Sequence, residues 1–152
     1  MSIDYIVASL PALEFGSPPP LTWERFVSAC GGEDAFRSGM RAWADIDIQL
    51  RNAVAEARGG AEWKRPAAGC SIYWKGRVAA CFQESDVAKR DEMLDKVRWD
   101  AAGELAKPSD PLGRGALAAY AVRLGISLRR AAISRERGVA AFDRILAPAK
   151  ED

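Results

Sequence analysis

Apolar residues recur at every third or fourth position over most of this chain, and that rhythm divides it into helices. The clearest stretch is Ala116–Ile133, ALAAYAVRLGISLRRAAI, where Leu117, Tyr120, Leu124, Leu128 and Ala131 form one stripe. Ala119, Val122 and Ile126 fall on the far side of the same helix. Apolar surface on two sides predicts an element sandwiched between others. Gly125 lies mid-helix, where it costs about 1 kcal/mol against alanine, and predicts the close approach of a neighbouring backbone. Met40–Arg58 carries a second stripe of Trp43, Ile46, Leu50, Val54 and Ala57, with Gly59-Gly60 as its C-cap. A third helix is capped by Ser85 and closed by Pro108, with Val87, Leu94, Val97, Ala101 and Leu105 in line. Thr22 caps a short helix of Trp23, Phe26, Val27 and Cys30 that Gly31-Gly32 stops. Ser134 predicts a break and the cap of a last helix, whose apolar face is Val139, Phe142, Ile145 and Leu146 and which Pro148 ends.

Two regions are less regular. Tyr5–Leu10 is β-branched and apolar, which suits a strand or an extended segment packed on the core; Pro11 ends it, and Gly16-Ser17-Pro18-Pro19-Pro20 predicts a stiff connection. Ala61–Cys81 fits either a hairpin around Lys75-Gly76 or a loop followed by a helix starting near Arg77, with the second favoured. No strand–helix alternation and no fixed-period repeat appears. The pattern therefore predicts an all-α fold: a single-domain helical bundle over 21–148, an extended N-terminal arm over 1–20 packed on it, and a frayed tail over 149–152.

Composition narrows the chemistry. The chain has 152 residues, 49% of them hydrophobic, enough for one core. Its 22 basic and 21 acidic side chains lack the electrostatic footprint of a nucleic-acid binder and disfavour adsorption to an anionic membrane. There is no histidine, which excludes Ser-His-Asp and Cys-His catalysis and histidine-ligated metals. Cys30, Cys70 and Cys81 form no C-x-x-C pair, and reduced thiols in a cytoplasmic protein are expected. No glycine-rich phosphate loop, signal peptide or membrane span is read from the sequence, and neither cofactor nor metal is expected.

Charged residues that interrupt apolar stripes are the informative ones. Asp47 intrudes on the second helix, and Arg90 and Arg98 on the third. A charge in such a stripe needs a counter-charge. Asp47 has Arg51 one turn away and Arg98 on another helix, and an Asp47–Arg98 bridge between helices is expected. The carboxylate pairs Asp45/Asp47 and Asp91/Asp95 sit among basic residues and read as solvated or ion-paired faces, not as acid–base pairs. Arg123 and Arg130 share one side of the Ala116–Ile133 helix, a row that Arg137 continues only if the helix does; it reads as a solvated ridge or a surface for an anionic partner protein. Trp23 and Trp43 fit the core, whereas Trp99 points away from its stripe, towards a partner or a second packed face. Trp99, Arg123, Ile126 and Arg130 are thus the candidate partner interface.

Four motifs taken in order carry a resemblance: YIVASLPAL at Tyr5–Leu13, LRN at Leu50–Asn52, LDKVRW at Leu94–Trp99 and AYAVRLGISLRR at Ala119–Arg130. The pattern resembles an uncharacterised bacterial family whose members accompany V/A-type rotary ATPase operons. That family is described as similar to the motor component that joins the central rotor to the membrane proteolipid ring. The resemblance implies an all-helical, non-catalytic accessory or coupling component whose partners belong to a V-type ATPase. It implies no catalytic residue; Arg98 and Trp99 stand in the LD-x-x-RW motif. The alternatives are a free-standing helical adaptor and, from another class, a small enzyme using carboxylates or a cysteine. Oligomeric state is not legible in the sequence.

Overall fold

The computed structural model describes residues 1–67 and 69–147, with residues 134–137 and 141 described as backbone only. Six helices make up the described chain: α1 (Ile3–Ser9), α2 (Trp23–Cys30), α3 (Arg37–Ala57), α4 (Ile72–Cys81), α5 (Val87–Ala102) and α6 (Arg114–Leu146). The fold is all-α, and no strand is present among the described residues. None of these helices is long and apolar enough to cross a membrane.

Helix α3 packs on α4 and α6, and α5 closes the ring by packing on both α4 and α6. Helices α1 and α2 lie outside this ring, against α6. The core therefore forms around α6, whose Leu117, Ala118 and Leu124 are completely buried. Close approach is set by two glycines, neither of which is Gly125. At Gly39 an added Cβ would lie 2.2 Å from the Ala118 Cβ, which marks the α3–α6 crossing. At Gly115 it would lie 2.0 Å from the Leu105 carbonyl oxygen. Gly125 is exposed, with nothing within 4 Å of the same point, so the close neighbour expected there is absent. Substitutions at these positions should have opposite signs. Gly125→Ala should raise stability by about 1 kcal/mol through helix propensity. Gly39→Ala should lower it by about 1–3 kcal/mol through overpacking. Urea denaturation of the two variants checks both.

Local signals explain most boundaries. The Thr22 hydroxyl accepts from the Arg25 amide at the start of α2, and Gly31 ends it with φ 73°. Gly59 and Gly60 close α3 by donating to the Glu56 and Ala55 carbonyls at 3.0 and 2.8 Å, a Schellman arrangement.

Further expectations need correction, among them the closure of α5 by Pro108: the helix ends at Ala102 and passes into a 3-10 turn over Gly103–Leu105. The N-terminal segment is not extended: residues 3–9 are helical because Ser2 caps the Tyr5 amide and Asp4 occupies the positive first turn. Ile6 of α1 is buried, so the segment does pack on the bundle. Lys75-Gly76 lie inside a helix and not at a hairpin turn, and that helix starts at Ile72, ahead of Arg77, because the Ser71 hydroxyl accepts from the Trp74 amide. Helix α5 is capped by Asp86, not Ser85; its carboxylate accepts from the Ala88 and Lys89 amides. Finally, α6 continues through Ser134 to Leu146 as one helix of 33 residues. A capping residue stabilises an end only where the backbone amides are free, and inside a running helix they are already bonded. The frayed tail expected at 149–152, the stop at Pro148 and the Arg137 side chain lie outside the described residues.

Candidate functional site

Two of the charged intruders, Asp47 and Arg98, meet between α3 and α5, whereas Arg90 donates to the Glu84 carbonyl at 3.1 and 3.0 Å and lies over Phe82. Arg98 of α5 places Nη2 2.7 Å from Asp47 Oδ1 of α3, while Arg51 places Nε 2.9 Å from Asp47 Oδ2. Asp47 thus joins two helices through one shared carboxylate. The approach to Arg98 is an ion pair without hydrogen-bond alignment: Asp47 Oδ1 and Arg98 Nε are both buried with no hydrogen-bond partner among the described residues. The Arg98 guanidinium also lies over Trp43, 5.9 Å from the ring centre.

A second clasp lies nearby, at a carboxylate that the sequence reads as solvated or ion-paired without giving its partners. Asp95 of α5 is almost fully buried, at 3% exposure. Its Oδ1 pairs with Arg129 Nη2, and its Oδ2 accepts from Arg130 Nη1 at 3.0 Å. Each carboxylate oxygen therefore meets its own guanidinium, which offsets the desolvation cost of the buried charge. A sequence signal for it exists: Asp95, Trp99 and Ala102 are spaced as one helix face, and all three are buried.

That second face overturns the candidate partner interface. Trp99 is buried at 6% exposure, edge-on to Phe15 at 5.6 Å. Arg123 covers it, with the guanidinium 5.4 Å from its ring and Nε donating to the Trp99 carbonyl at 3.0 Å. Burial lowers the Arg123 pKa from its usual value, against the opposing pull of Asp100. Ile126 is buried at 5% exposure within the chain itself. Arg130 holds Asp95 and lies 5.1 Å from the Phe15 ring centre. Trp99, Arg123 and Arg130 are packed against their own chain and do not form a free surface, and Ile126 shows only an edge, in the groove described below. The reason is geometric: α5 buries two faces, so the row of arginines on α6 meets α5 instead of water.

Other polar groups hold loops. Asn52 donates to the Arg65 carbonyl and accepts from its amide, at 2.7 and 2.8 Å, and Gln49 accepts from the Ser71 amide at 3.0 Å. The Tyr120 hydroxyl donates to the Pro11 carbonyl at 2.7 Å, and burial raises its pKa to about 12. The three cysteines are free thiols: Cys30 and Cys81 are buried and Cys70 is exposed. Burial pushes the Cys30 and Cys81 thiols up from their usual range, away from the reactive thiolate. Among the described residues no group of three or more histidine, cysteine or acidic side chains is placed to hold a metal.

Two surface features remain. Arg51, Arg98 and Arg129 line an open groove of about 410 Å³ floored by apolar side chains, Trp43 and Ile126 among them. The far end of α6 carries Val139, Phe142, Ile145 and Leu146 at 55%, 60%, 80% and 63% exposure. The chain shows no match to a protein-family model, to a curated protein or to a solved structure.

Proposed function

We propose that this chain is a non-catalytic helical interaction protein that docks a partner protein through the projecting end of α6. The observation that carries the reading is the face formed by Val139, Phe142, Ile145 and Leu146. It follows helical spacing, it is exposed, and it belongs to the same continuous helix that forms the core. Apolar anchors at such spacing suit a helix laid into the groove of a partner. The bundle's charged groups are engaged in its own clasps, which fits a rigid platform for that helix. The partner is assigned through the motif resemblance: a component of a V-type rotary ATPase, for which this chain acts as an accessory or coupling element. It would work in the cytoplasm and reach the membrane only through the complex.

Co-purification of the tagged full chain with the motor proteins tests the assignment. The native chain should retain them, and Phe142→Asp with Ile145→Asp should lose them while helix content is unchanged, since both side chains are exposed. Retention of a different protein, lost in the same variant, would support the free-standing adaptor instead. Repeated absence of this chain from intact motor complexes would sink the ATPase assignment.

A further inference from the structure

The groove beside the Asp47 clasp gathers three guanidinium groups, each also engaged in a clasp, around an apolar floor. Its charged lining is Arg51, Arg98 and Arg129, with no carboxylate among the lining residues. Its floor is Trp23, Met40, Trp43, Ala121, Val122 and Ile126. Exposed Gly125 leaves the helix backbone bare there, with nothing within 4 Å of a Cβ position. Arg98 contributes a buried Nε–H that has no acceptor among the described residues. Arg51 and Arg129 hold Asp47 and Asp95 through one side of each guanidinium and remain partly open to solvent, with side-chain exposures of 63% and 50%.

We propose that this groove binds a small amphiphilic carboxylate, with its apolar chain or ring on the Trp43–Ile126 floor and its head between Arg51, Arg98 and Arg129. Volume supports a small molecule: about 410 Å³ lies within the usual range for such sites, about 300–1,000 Å³. The lining has the same character, mostly apolar with a few convergent charges. The head is a carboxylate because guanidinium forks match its planar pair of oxygens. Charge favours one negative group over two. The three arginines stand in front of Asp47 and Asp95, which already neutralise much of their field. The site lies on the bundle, and the inference is independent of docking at the end of α6.

Binding of decanoate to the full chain, below its micellar concentration, provides the test, with calorimetry and tryptophan fluorescence as readouts. Decanol and decyltrimethylammonium keep the chain and change the head. Decanoate should bind saturably at one site, and decanol about tenfold or more weakly, the loss of at least one charged contact. The pair Arg51→Gln and Arg129→Gln should weaken decanoate to a similar extent. Each aspartate keeps its other arginine in that variant, Arg98 for Asp47 and Arg130 for Asp95, so the fold is retained. Gly125→Leu should abolish binding by filling the groove without touching a charge, which keeps the test decisive if the double variant unfolds. Equal affinity for decanol, unchanged affinity in either variant, or no decanoate binding would overturn the proposal. So would saturable binding of a short Glu/Leu peptide in the absence of decanoate binding.

Discussion

Asp95→Asn should lower the thermal midpoint of this protein by about 6–12 °C. Removing one partner from a buried ion pair costs about 3–5 kcal/mol, mostly because the remaining charge is stranded. Here Arg129 is 50% exposed and rehydrates, so the lower end, about 3 kcal/mol, applies. For a domain of this size each kcal/mol moves the midpoint by roughly 2–4 °C. Asparagine is nearly isosteric, so the change reports charge and not volume. Arg130→Gln should cost clearly less, because Asp95 keeps Arg129. Calorimetric scans of the two variants check the order. A shift below about 2 °C for Asp95→Asn would mean that the clasp contributes nothing net, as in exposed pairs.

The second large effect is expected at Phe26. Its side chain is completely buried, and its ring meets Trp23, Phe36 and Tyr120 at centroid distances of 5.4, 5.2 and 5.4 Å. Those partners come from α2, the turn before α3, and α6, so one ring ties the outer layer to the central helix. Phe26→Ala should cost about 3–5 kcal/mol, the lost transfer energy plus the cavity left behind. Phe26→Leu should cost under about 1.5 kcal/mol if the site repacks. Urea denaturation followed by tryptophan fluorescence separates them; a cost below about 1 kcal/mol for the alanine variant would show that the cluster collapses around the gap.

The long helices were legible because periodicity and caps are local properties. Thr22, Gly31 and Gly59-Gly60 act where the sequence places them. Helix α1 was missed because β-branched residues and Asp4 argue against an apolar strand or helix alike, and Ser2 decides the matter by capping. Helix α4 was obscured by Ile72 and Tyr73, which are exposed at 85% and 63% and so belong to no stripe. The Asp47–Arg98 approach was legible as two opposite charges on two apolar faces. For Asp95 the sequence allowed an ion pair but not its burial or its partners, because a single stripe on α5 hides the face of Asp95 and Trp99. The same omission left Arg123 and Arg130 facing solvent, when α5 and Phe15 cover them in the fold.

The unbroken course of α6 has a mechanical consequence. A helix of 33 residues is about 50 Å long, and its buried side chains, among the described residues, all lie at or before Ser127. Arg129 and Arg130 sit where side chains turn from buried to exposed along it, so the Asp95 clasp lies at the root of the free portion. That geometry makes the Asp95 clasp the last ion-pair anchor of α6 on the bundle among the described contacts, at the step between its buried and exposed lengths.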